Sequence, residues 1–378
     1  MPTAVAPPTG LRAALGPRDL TLFVLCALAT AASAVTAAVD VGAVVPFVVS
    51  AVALALLATL VGHAVDALGD RLGAGATGVL QSALGNLPEL FVCLFALHAK
   101  LYDVVRAALV GSVLANVLLV LGLAFVVGGL RHGTQHFGQG RARTISMLLA
   151  LSVAAWSIPS LTAALHTAAA EHERPLSIVT AVALLGLFAL SVPASISRTA
   201  EEAADDTPAP PSHPEDHAAA EAEHVTQWPI WFAVLVLTSA GVAAAFVSDW
   251  FVAALTPAMD AVHISEAFAG LVVVAVAGNA VENVVGIQLA ARNQADYALS
   301  VILQSPLQIA LVLAPVLVLA APLVGATFTL VMPPLLVVAL ALTVLIAVLV
   351  VNDGDSTWLE GASLLALYLL IAASFWWG

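Results

Sequence analysis

Eleven apolar runs, each near the ~20 residues that cross a bilayer, leave this chain little to become except a bundle of membrane helices. They fall near residues 20 to 38, 42 to 62, 77 to 98, 105 to 129, 143 to 164, 176 to 197, 228 to 248, 267 to 291, 298 to 320, 326 to 351 and 358 to 377. Hydrophobic residues make up 61% of the 378 and charged ones 9%, a balance outside the range of soluble domains. A membrane barrel would alternate polarity over strands of ~10 residues, and no such alternation is present. The expected class is an all-α polytopic membrane protein with about 11 transmembrane helices.

The polar breaks organise the runs. With the N-terminus in the cytoplasm, Arg12, Arg18, Arg71, Arg131, Arg141, Arg143, Arg198 and Arg292 fall inside, and only Lys100, Arg106 and Arg174 fall outside. That bias supports N-in, C-out. The first run is read as a retained span and not as a cleaved leader. Residues 198–227, rich in Asp and Glu with a Pro cluster at 208–214, read as an acidic cytoplasmic linker. His213, His217 and His224 within it read as solvated. The predicted organisation is an N-terminal segment with its helix (1–41), a first five-helix repeat (42–197), the linker (198–227) and a second five-helix repeat (228–378). Cys26 and Cys93 lie inside apolar runs and read as small buried hydrophobes.

Two glutamates sit deep in matched settings: Gly85-Asn86-Leu87-Pro88-Glu89 and Gly278-Asn279-Ala280-Val281-Glu282. The match continues at one constant offset, with Asp103 on Asp296, Ser112 on Ser305 and Leu114 on Leu307, while Gly111 meets Gln304 and Ala115 meets Gln308. Because each repeat holds five spans, an odd number, the second enters the membrane from the opposite side. Inverted repeats of this kind build secondary transporters, whose ion sites lie near the midplane where the repeats meet.

A carboxylate in hydrocarbon is costly and marks function. Asn and Glu three residues apart share one helix face, so Asn86 with Glu89, and Asn279 with Glu282, can line one cavity. Gly85 and Gly278 permit close helix approach or a helix break, and Pro88 releases a backbone carbonyl. Ser112, Ser305 and Gln308 complete the candidate metal ligands, with Asn116 and Gln304 as additional ones. Carboxylates, amides and hydroxyls are hard oxygen donors suited to Ca²⁺, and to Mn²⁺ or Na⁺ with less preference. Burial favours the neutral acid and a bound divalent ion the ionised one, so proton and metal compete for Glu89 and Glu282. Such competition at an alternating-access site is antiport.

These residues resemble the cation/proton exchanger family of the Ca²⁺/cation antiporter superfamily. The likeness rests on Ala64 to Glu89, on Gly111-Ser112-Val113-Leu114-Ala115-Asn116, on the loop Arg131-His132-Gly133-Thr134-Gln135-His136-Phe137, and on Ile264 to Glu282 with Ser305-Pro306-Leu307-Gln308. It implies a Ca²⁺/H⁺ antiporter with Glu89 and Glu282 as central ligands and proton carriers, and with Asp66 and Asp249 at the entry to the ion pathway. Three departures stand out. Asn283, a further candidate ligand, replaces the usual His; Gln304 and Pro306 stand where Gly and Ser are common; and Pro88 is similar to the motif of sodium/calcium exchangers.

The expected function is therefore exchange of Ca²⁺ or another divalent cation for H⁺, with no enzymatic activity and no cofactor. Rival readings are Na⁺-coupled Ca²⁺ exchange, a Na⁺/H⁺-type antiporter and, more distantly, an intramembrane hydrolase with the two acids as a dyad. The expected partners are the divalent cation and the lipid bilayer, with no nucleic acid, in any state from monomer to trimer. The Ala-, Val- and Leu-rich composition suits a bacterial inner membrane.

Overall fold

A computed structural model describes residues 15–72, 84–205 and 228–377, excluding the side chains of 70–72, 139, 141, 193–205 and 280–282. The chain is helical almost throughout. In order, the helices are α1 Pro17–Ala38, α2 Val44–Leu72, α3 Leu87–His98, α4 Tyr102–His132, α5 Gln139–Ala164, α6 Glu173–Asp205, α7 Ile230–Val262, α8 Glu266–Gly278, α9 Ala280–Ala291, α10 Ala295–Val324, α11 Pro334–Val351 and α12 Trp358–Phe375. Among the described residues, eight helices are long and apolar enough to cross a membrane. The bent pair α8–α9 counts as a ninth, and α3 and α12 are shorter apolar helices. The protein is a multi-pass integral membrane protein.

The helices depart from the apolar runs in instructive places. α6 continues to Asp205, into the segment read as a linker, whose residues 206–227 lie outside those described. The run at 326–351 becomes helical only at Pro334. Its first part is extended and buried at Ala326, Phe328, Leu330 and Met332. Ser160 Oγ donates to the Leu330 carbonyl and accepts from Met332 N, both at 3.0 Å, and Ser177 Oγ accepts from Leu330 N at 3.1 Å. These side chains satisfy backbone groups that a helix would pair internally. Arg106, inside the run at 105–129, lies near the start of α4 and bonds Asp103 at 2.9 Å.

The repeat is visible in the backbone. α3 and α9 each have 12 residues, preceded by Asn86 (φ −96°, ψ 20°) and Asn279 (φ −104°, ψ 23°). Both helices therefore start at a break, and in the second half the break bends the path by 63°. Pro88 sits in the first turn of α3, where a missing N–H costs nothing. After the short helices, Lys100 and Asn293 both turn through left-handed backbone. A π-helical segment then interrupts α4 at Ala115–Val120 and α10 at Ile309–Leu313, equivalent places in the two halves.

Two joints tie the halves together at opposite ends of the bundle. At one, His98 Nδ1 donates to the Val324 carbonyl at 3.2 Å and Lys100 Nζ to the Gly325 carbonyl at 3.1 Å. At the other, His132 Nε2 donates to the Ala291 carbonyl at 3.0 Å and Gln135 Nε2 to the Ala290 carbonyl at 3.1 Å. Beside the second joint, a two-stranded ladder pairs Gln135–His136 (β1) with Asp355–Ser356 (β2). Elsewhere α2 packs along α7, with Phe47 stacked on Phe251 at 4.9 Å.

Candidate functional site

The centre of the bundle is set by a close crossing of α4 and α8. A Cβ at Gly111 would run into the carbonyl of Leu271, and one at Gly270 into the carbonyl of Val104. Glycine at both positions lets the helices meet backbone to backbone. Gly270 was not singled out from sequence, although its partner helix carries Ala107-x-x-x-Gly111, a small-residue spacing that signals such crossings. α8 is itself π-helical over Ala269–Val274, and π segments cluster at functional sites.

This crossing brings the first motif against the second. Glu89, in the first turn of α3, is 2% exposed. A Cβ on Gly278 would touch its Cδ and Cγ at 3.6 Å, so the glycine of one motif faces the glutamate of the other. Ser112 Oγ donates to Glu89 Oε1. Asn279 Nδ2 donates to Ser112 Oγ at 3.0 Å and to the Ala275 carbonyl at 2.9 Å. Asn279 Oδ1 accepts from Ser305 Oγ at 3.0 Å and from Asn116 Nδ2 at 3.1 Å. On the other side, Asn86 Nδ2 donates to Gln308 Oε1 at 3.2 Å. All of these side chains are buried.

Seven of the residues expected at the site are therefore buried and hydrogen-bonded across the two halves: Glu89, Ser112, Asn279, Ser305 and Asn116 in one connected network, and Asn86 with Gln308 as a separate pair. Glu282 is the third residue of α9, one turn beyond Asn279; its side chain lies outside the described residues. Asn283 follows on α9 with its Oδ1 buried and without a partner among the described residues. Gln304 lies one turn before Gln308 on α10 and is partly buried. Asp66 on α2 and Asp249 on α7 are exposed.

Chemically the cluster is a buried carboxylate amid hydroxyl and amide oxygens. Among the described residues no three His, Cys, Asp or Glu side chains gather as a metal-binding group. The donor set suits a hard, exchangeable cation and not a tightly held transition metal.

Comparison with known proteins agrees with this architecture. A family model described as sodium/calcium exchanger protein matches residues 42–196 and 232–377, leaving out α1 and the segment between the halves. A Ca²⁺/H⁺ antiporter of Synechocystis sp. is 33% identical over 374 residues, spanning 94% of this chain and 96% of that protein. The Ca²⁺/H⁺ antiporter ChaA of Bacillus subtilis is 33% identical over 354 residues, spanning 93% and 98%. The structure of native YfkE superposes with a TM-score of 0.77 at 31% identity, over 94% of this chain and 99% of that one.

Proposed function

Because the chain belongs to the sodium/calcium exchanger protein family, we propose that it exchanges Ca²⁺ for H⁺ across the membrane by alternating access. Glu89 and Glu282 bind the cation and the protons in competition. Asn86 and Gln308 add amide oxygens, and Ser112 and Ser305 add hydroxyls. With both acids ionised, one Ca²⁺ neutralises the site; with both protonated, the site is neutral without it. Either loaded form can cross between the two faces, whereas a bare pair of carboxylates pays a prohibitive desolvation cost. Asp66 and Asp249 serve as hydrated acids at the mouths of the pathway. With the N-terminus cytoplasmic, in a bacterial inner membrane, inward protons drive Ca²⁺ out.

The observation that carries this reading is the bonding of buried Glu89 through Ser112 to Asn279, which links the two repeats at one carboxylate. Names of relatives add the ions: the Synechocystis and Bacillus proteins are Ca²⁺/H⁺ antiporters. The test is Ca²⁺ uptake into proteoliposomes loaded at acid pH and diluted into sodium-free alkaline buffer. Uptake is expected in the wild type and lost in Glu89→Gln and in Glu282→Gln. Uptake that requires a Na⁺ gradient, or survives in either variant, overturns the proposal.

A further inference from the structure

The two motif asparagines occupy equivalent backbone positions yet are wired in opposite senses. Asn86 uses its amide nitrogen on Gln308, and among the described residues its Oδ1 has no hydrogen-bond partner. Asn279 is saturated: Nδ2 donates to Ser112 Oγ and the Ala275 carbonyl, and Oδ1 accepts from Ser305 and Asn116. An amide has two donor hydrogens and two acceptor lone pairs, so Asn279 has nothing left for a cation.

The difference traces to Asn116. Its counterpart in the second repeat is Ile309, so the repeat itself does not require a polar side chain here. Asn116 is wholly buried at the start of the π-helical segment of α4. Its Nδ2 lies 2.9 Å from the Ser112 carbonyl and 3.1 Å from Asn279 Oδ1. Both are acceptors, and Ser305 Oγ accepts from the same nitrogen at a longer 3.4 Å, which fixes the amide with nitrogen toward the network and oxygen away from it. That oxygen is buried with no partner among the described residues. Turning the amide over would set oxygen against two oxygens.

We propose that Asn116 is a positioning residue and not a cation ligand. It holds Asn279 so that Asn279 donates to Ser112, and Ser112, accepting that bond, keeps its single proton for Glu89. The site is then chemically lopsided: the first-half asparagine supplies an oxygen to the ion, and the second-half asparagine orients the hydroxyl beside the first-half acid. The inference rests on the ion site proposed above.

Asp is the informative replacement, because it is isosteric with Asn, keeps the oxygens and loses the donor. Full-length wild type, Asn116→Ala, Asn116→Asp and each combined with Asn279→Ala are compared in the sodium-free Ca²⁺ uptake assay, with thermal midpoints measured in parallel. Both single variants are expected to raise the KM for Ca²⁺ about tenfold, the loss of one hydrogen bond to a buried polar group, with Asp no better than Ala. In the Asn279→Ala background the same changes should add less than twofold. An Asn116→Asp protein with wild-type or lower KM would make Asn116 a ligand and overturn the proposal, as would a full effect persisting without Asn279. If the position-116 variants do not fold, Asn279→Asp decides: a raised KM supports a donor role, and a lowered one makes Asn279 a ligand. Absence of wild-type uptake would instead remove the underlying function.

Discussion

Lys100 and Asn293 adopt the same left-handed backbone, φ 66° and 62°, at equivalent points of the two halves. Each closes the turn between a short helix and the long helix that carries a site serine. Left-handed backbone disfavours side chains with a Cβ, and Asn tolerates it better than most. Both Asn293→Ala and Asn293→Gly lose the bond that Asn293 Oδ1 accepts from Gln135 Nε2 at 3.3 Å, and Asn293→Ala is expected to be less stable than Asn293→Gly by about 1 kcal/mol because only glycine adopts the turn freely. Thermal unfolding in detergent measures both.

Ser112 and Ser305 are sequence equivalents with unequal tasks. Ser112 donates to a carboxylate, and Ser305 to an amide oxygen. Bonds to charged groups contribute about 1.5–3 kcal/mol and neutral ones about 0.5–1.5. Ser112→Ala should therefore lower kcat/KM for Ca²⁺ by about 10- to 150-fold, and Ser305→Ala by about 2- to 10-fold. Initial rates of uptake rank them; an equal or reversed order contradicts the network.

Competition between Ca²⁺ and protons fixes the direction of pH dependence. Cation binding requires ionised acids, so the apparent KM for Ca²⁺ should fall as pH rises, by up to about tenfold per pH unit for each proton displaced. Uptake titrated between pH 6 and 8 at zero membrane potential reads the slope. A KM flat across that range would separate metal binding from the glutamate protons.

The α4–α8 crossing predicts where a single methyl group is intolerable. Gly111→Ala and Gly270→Ala each force backbone apart and should destabilise by about 1–3 kcal/mol or more. Gly241→Ala, within α7 and with nothing in 4 Å of the added Cβ, should be neutral or stabilising by up to about 1 kcal/mol. Comparing unfolding midpoints of the three variants tests the contrast.

The central residues were legible because polar side chains inside apolar runs are rare, and because Gly-Asn-x-x-Glu recurs at a constant offset. Gly85 and Gly278 hinted at breaks, which the backbone makes at the neighbouring asparagines. Less was legible where packing, not pattern, decides. The π segment at Ala115–Val120 and that at Ile309–Leu313 lie in stretches apolar on nearly every side, so no periodicity marks them. Hydropathy likewise reads the buried, extended stretch before Pro334 as part of a span, although Pro333-Pro334 marks the true helix start. The sense of each amide was also hidden. Asn86 and Asn279 look alike in sequence, and only their neighbours differ: Asn86 donates to Gln308 across the interface, whereas Asn279 Oδ1 accepts from Asn116 across it and from Ser305 within its own half.

The joints at the two ends of the bundle show what duplication has since done to the halves. At one end the turn after α3 brings the donors, His98 and Lys100, and the loop after α10 brings carbonyls. At the other the loop after α4 brings the donors, His132 and Gln135, and the turn after α9 brings carbonyls. Both donor pairs belong to the first half. A symmetric dimer of second halves would set Ala291 against Val324 with no side-chain donor for either carbonyl, and one of first halves would crowd His98 against His132. At these two joints the first half supplies the side-chain donors and the second half the carbonyls, so halves that share one backbone plan fit each other as lock and key and not as copies.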